Sequence, residues 1–178
     1  MEKNQNPSPA LRLVSGGKKI MIEALDGKAY ISKTYTSKGN VFSAKKTFKL
    51  HMERDFKNWG LNQPGSSTAE TLLAVSEMIS DGTFFQLFTG INSDLDKIVM
   101  TQSQVIRFCE KHSNWLCWEG YATLFLTKAN DDYFVLFVYV NPHIMFVGAA
   151  PLEGNYVCCG KYPNRLVYPI TPLAEKEP

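Results

Sequence analysis

Residues 101–140 read TQSQVIRFCEKHSNWLCWEGYATLFLTKANDDYFVLFVYV, and the rest of the fold is arranged around them. Thr101 and Gln104 have the spacing of a capping box, in which each side chain satisfies a backbone N–H at the helix start. At 100° per residue Val105, Phe108, Cys109, His112, Trp115 and Leu116 fall on one side. Gln104, Arg107, Glu110, Lys111 and Asn114 fall on the other, which predicts a helix over 101–116 with a single buried face. Gly120 stands just past its end.

Two strands follow, 121–128 and 132–140, around the polar turn Ala129-Asn130-Asp131-Asp132. From Tyr133 to Val140 no polar residue interrupts the run other than the tyrosine hydroxyls, so both faces of that strand are apolar. Such a strand belongs in the middle of a sheet, covered on both sides, because as an edge it would aggregate. A charge placed at Phe137 is expected to unfold the domain.

Outward from this centre, Asn141-Pro142 turns the chain into a third strand over 143–149, and 156–170 completes a four-stranded antiparallel meander. Upstream, Phe84, Leu87, Phe88 and Ile91 recur at helical spacing and predict a short helix over 83–91, capped by Asp81. Residues 68–80 carry both signals: Ser67 and Glu70 suggest a capping box, while Leu73 and Val75 alternate as in a strand. The balance there leans to helix. Asp26-Gly27 between 19–25 and 28–35 predicts a hairpin, and 47–52 alternates as a strand. The stretch DFKNWGLNQPGSS, 55–67, reads as a loop pinned by Phe56, Trp59 and Leu61.

The expected fold is therefore α+β: an antiparallel C-terminal meander packed on one amphipathic helix, with an N-terminal β-hairpin lobe. Residues 1–17 and 171–178 read as tails around a single domain, 18–170. Within it, 18–60 forms a basic β lobe, 61–100 a connecting segment with the short helix, and 101–170 the helix and meander. At 178 residues and 44% hydrophobic content the chain can bury a real core. No apolar run approaches the roughly 20 residues of a membrane helix, and the first 19 residues lack the apolar centre of a signal peptide. With four cysteines and no disulfide framework, a cytoplasmic protein without membrane partner is expected.

The segments EALDGK, DFKNWGLNQPG, LDKIVMTQSQVIRFCEKHSNWL, EGYATLFLTK and YPNRLVYPI together resemble a family of bacterial proteins known from sequence only. The likeness runs from Lys19 to Ile170. It implies a soluble bacterial domain of one architecture and transfers no catalytic residue. Cys158-Cys159 departs from the hydrophobic or small residues of that pattern.

Chemistry is sparse. Cys109 and His112 stand at i, i+3 with Cys117 close behind, a spacing open to zinc, yet on the apolar stripe where Cys behaves as a small hydrophobe. Vicinal Cys158 and Cys159 should point to opposite faces of a strand. A thiol enzyme would need a histidine near one of them, with His51 and His143 the candidates. No glycine-rich phosphate loop, zincin motif or nucleophile elbow is present in the sequence. Asp94-x-Asp96 and Asp131-Asp132 sit at turns, where Asp serves the backbone. No cofactor and no metal are expected.

Charge is uneven. Residues 1–60 carry 12 Lys and Arg against 5 Asp and Glu, while the remainder carries 7 against 12. Lysines interleave with aromatics in the basic half, the composition of a stacking platform. If the domain binds nucleic acid, Lys45, Lys46, Lys49 and Lys57 should contact phosphates and Trp59 should stack on a base. The leading expectation is a non-catalytic module that binds a protein partner. Nucleic-acid binding through the basic lobe and a small Cys/His enzyme are the alternatives.

Overall fold

The structure is a computed structural model that describes residues 10–31, 47–48, 58–118, 121–140 and 144–170. In chain order they form β1 (Leu11–Leu13), β2 (Ile20–Ile22), β3 (Thr47–Phe48), β4 (Thr71–Met78) and β5 (Gly82–Thr83). Helix α1 (Phe84–Ile91) and helix α2 (Gln102–Lys111) follow. Then come β6 (Ala122–Ala129), β7 (Asp132–Val140), β8 (Ile144–Pro151), β9 (Val157–Cys158) and β10 (Arg165–Pro169).

The fold is α+β. Eight strands make one mostly antiparallel sheet in the order β1-β4-β10-β6-β7-β8-β3, with β2 sharing the outer edge of β4 with β1. β6 and β7 form the expected hairpin, closed by Asn130 and Asp131 at φ 50° and 66°. That pair of left-handed residues suits the right-handed twist of the two strands. β7 lies between β6 and β8 from Phe134 to Tyr139, as an apolar strand requires.

Successive side chains of β6 go to opposite faces, so two cores form. Phe125 lies against Phe108 of α2 at 5.5 Å in an edge-to-face contact, among Ile20, Leu73, Val105, Leu136 and Val167. Leu124 and Leu126 lie on the other face with Phe84, Leu87 and Phe88 of α1.

Several expectations are corrected. The segment 68–80 is strand β4, not helix: Leu73 and Val75 alternate into the α2-side core, and Thr68 is drawn into a bridge with Leu25. Among the described residues the 19–25/28–35 hairpin is not seen, since β2 pairs with β4 and residues 28–31 form no strand. Asp26-Gly27 still turns the chain, but toward residues 65–68. Gly27, at φ +77°, accepts the Gly65 N–H, and a Cβ there would stand 2.3 Å from the Ser66 carbonyl oxygen. Residues 11–13, expected in a tail, form β1 and pair with β4.

Residues 156–170 do not extend the meander. β9 pairs with β5 in a separate two-stranded sheet, and β10 inserts between β4, antiparallel, and β6, parallel. The cap of α1 is Thr83, in a reciprocal capping box with Gln86, whereas Asp81 accepts the Gly160 N–H. The Thr101–Gln104 capping box of α2 is present as expected, but the helix ends at Lys111 and a 3-10 turn covers Ser113–Trp115. The rest of the 47–52 strand, residues 32–35 and the C-terminal tail lie outside the described residues.

Candidate functional site

The end of the molecule where the β6–β7 turn meets the 58–67 loop carries two concavities, one on each side of the turn. Two of the three expected anchors, Trp59 and Leu61, pin the loop, and Phe56 lies outside the described residues. Leu61 is fully buried, and the Trp59 ring stacks on Phe134 of β7 with centroids 5.3 Å apart. Gly60 allows the close approach: its φ is +74°, and a Cβ would stand 2.7 Å from the Asn130 amide nitrogen.

On one side lies a groove of about 450 Å³. Trp59, Phe134, Pro151 and Leu152 give it apolar walls, while Asp131, Asp132 and Glu153 add three carboxylates. All three acids are exposed, and among the described residues none is engaged in an ion pair. On the other side lies a cavity of about 250 Å³ lined by the 60–66 loop, the start of α2 and residues 127–130, with no carboxylate in its lining.

Asp96, expected to serve only a turn, accepts from the Lys128 ammonium at 3.0 Å and the Tyr133 hydroxyl at 2.8 Å. The Lys128 bond, followed by the Tyr133 bond, holds its carboxyl below the ordinary range, and the same partner raises Lys128 and Tyr133. This clasp ties the 95–97 turn to the hairpin.

Of the proposed nucleic-acid contacts, Lys45, Lys46, Lys49 and Lys57 lie outside the described residues. Trp59 is half-buried, with one ring face on Phe134 and the acidic groove beside it. A phosphate backbone brought to that ring would meet three like charges.

Cys109 is buried in the α2-side core, and His112 donates from Nε2 to the Met21 carbonyl at 2.9 Å. Cys117 donates its S–H to the Pro163 carbonyl at 3.2 Å, and burial raises its pKa. Burial pushes the Cys158 thiol up to about 11, whereas Cys159 is half-exposed, so the vicinal pair does divide between inside and outside. A thiol held protonated is a poor nucleophile. His51 and His143 lie outside the described residues. Among the described residues, no three His, Cys, Asp or Glu side chains are placed to share a metal ion, and no helix is long and apolar enough to cross a membrane.

The groove was not legible beforehand, because its walls come from residues 59, 131–134 and 151–153. Only the loop's aromatic anchor and the acidic turn hinted at it. No family model, curated protein or solved structure matches the chain, so its function has to be argued from its own residues.

Proposed function

We infer that the protein is a non-catalytic interaction module that receives a basic side chain of a partner protein in the Trp59 groove. The observation that carries this reading is the pairing of apolar walls with three exposed carboxylates that pair with no cationic side chain among the described residues. An arginine or lysine buries its aliphatic stem against apolar surface while its head stays among polar groups. Trp59 beside Asp131, Asp132 and Glu153 offers both halves of that contact. Arginine adds stacking on an aromatic face and a bidentate grip on a carboxylate. The reducing bacterial cytoplasm is the setting this reading assumes, supported by the four free cysteines.

The test is a fluorescence titration with a short arginine-containing peptide and its glutamate counterpart. The basic peptide should bind and the acidic one should not. Asp131→Asn with Asp132→Asn and Glu153→Gln should weaken binding about tenfold or more, because the lost contacts are charge-assisted. Equal binding to wild type and variant ends the reading. Binding of a single-stranded oligonucleotide, lost on charge reversal at Lys45, Lys46 and Lys49, would favour the nucleic-acid alternative instead.

A further inference from the structure

The cavity on the other side of the hairpin turn has the opposite character. Its lining contains amides, hydroxyls, glycines and one lysine. At its inner wall stands the N-terminus of α2, a helix of ten residues. The capping box engages the N–H groups of Thr101 and Gln104. The N–H groups of Gln102 and Ser103 have no hydrogen-bond partner among the described residues. A helix start carries partial positive charge and aligned N–H donors, the usual requirement for an oxyanion.

A second, independent observation comes from the sheet. Thr127 follows Thr123 and Phe125 on the α2-facing side of β6 and is only 2% exposed. It lines the cavity, and among the described residues no hydrogen bond reaches its hydroxyl. Thr123, four residues earlier on the same face, has its hydroxyl engaged by the Cys117 N–H at 2.8 Å. The Thr127 hydroxyl is unpaired but not sealed from solvent, unlike the sealed and unpaired Thr68 hydroxyl. Here it opens onto a space large enough for a ligand.

We propose that this cavity binds the phosphate group of a small phosphorylated metabolite, with the start of α2 and the Thr127 hydroxyl as donors. Lys128 lines the same cavity but directs its ammonium to Asp96, so it contributes a neutralised rim and not a direct contact. The volume of about 250 Å³ exceeds what a bare oxyanion fills. It falls below the ~300–1,000 Å³ of larger ligand pockets, which points to a compact monoester. The Gln63 side chain is exposed at the cavity mouth, where it can meet the remainder of the molecule.

The experiment is thermal unfolding of the full chain at millimolar inorganic phosphate, glycerol 3-phosphate, or glycerol with matched salt. Ligand that binds only the folded state raises the melting temperature in proportion to the logarithm of its saturation. Glycerol 3-phosphate should raise it more than inorganic phosphate, and glycerol should not raise it. Thr127→Val keeps the shape and removes the hydroxyl. The variant should melt no lower than wild type without ligand, and the phosphate-dependent shift should be lost. Gln63→Glu, on the surface, places a carboxylate at the mouth and should abolish the shift with the fold intact. No shift in the wild type, or a shift that both variants retain, overturns the proposal.

Discussion

The two faces of the sheet are closed in different ways. On one face α2 sits over Phe125 and Leu136 and is tied at its start by polar bonds to two separate segments. Gln102 Oε1 accepts the Ile31 N–H, Ser103 donates to the Ala29 carbonyl, and Gln104 donates from its amide to the Thr71 hydroxyl. On the other face α1 packs through Phe84, Leu87 and Phe88, and its side-chain hydrogen bonds stay within its own turns among the described residues. Phe137, Tyr139 and Phe146 form an aromatic group there that remains half-exposed, and Phe85 of α1 is exposed. Apolar area holds both helices down, but directional bonds fix the seat of only one. Hydrophobic burial is non-directional, so a helix without polar ties is free to slide or open at lower cost.

The contrast is testable at three scales. The largest effect is expected in the closed core. Phe108→Ala should lower stability by about 3–5 kcal/mol in a urea titration, as truncation of a fully buried aromatic does. Phe137→Ala should cost clearly less, since its ring is already partly in water. Phe137→Asp should be milder than Val138→Asp for the same reason, which revises the expectation that a charge at 137 unfolds the domain. Equal losses at 108 and 137 would erase the difference between the faces.

An intermediate effect separates the two helix starts. Thr83→Ala removes a cap and should cost about 1 kcal/mol. Gln104→Ala removes the reciprocal cap bond and also the amide bond to the Thr71 hydroxyl, so about 2 kcal/mol is expected from the two lost bonds. Hydrogen exchange should report faster opening of α1 than of α2 in the wild type. The reverse order would break the argument.

The smallest effects belong to the surface clasps. Glu23 receives Lys111 at 2.7 Å and Arg107 at 3.1 Å on the α2 side, and Asp96 receives Lys128 and Tyr133 near α1. Both carboxyls are held below their ordinary values of 4.5 and 3.8, Glu23 chiefly by its Lys111 bond and Asp96 chiefly by Lys128. A depressed folded pKa means that the stabilisation is present above the unfolded value and fades as pH falls through the folded one. Wild type should therefore be slightly more stable than Glu23→Gln or Asp96→Asn at neutral pH. The melting curves should converge below about pH 4, where the carboxyls titrate. A gap that persists at pH 2 would assign the effect to something other than charge.

What could be read from the sequence was local. Asn130-Asp131 tolerates positive φ, the capping box of α2 spans four residues, and the α1 stripe repeats within eight. Each carries its own instruction. Gln104 was placed on the solvent side by the helical wheel, yet it is buried because residues 29–31 and 71 close over the start of α2. The strand at 71–78 lost to a capping signal because strand formation depends on neighbours, here β1, β2 and β10. The parallel match of Arg165 to Thr123 leaves no mark in either segment. The two concavities were hidden for the same reason, since each joins three separate stretches of the chain.

The insertion of β10 also sets an order of events during synthesis. β1, β2 and β4 come from the first half of the chain, and β6, β7 and β8 from the second. The strand that joins them side by side, β10, leaves the ribosome after all the other described strands. Until Pro169 emerges, β4 and β6 each present a bare apolar edge, and chains grow at about 5–20 residues per second. A nascent chain stalled before residue 165 is thus two unsealed half-sheets, a natural client for a chaperone that shields strand edges.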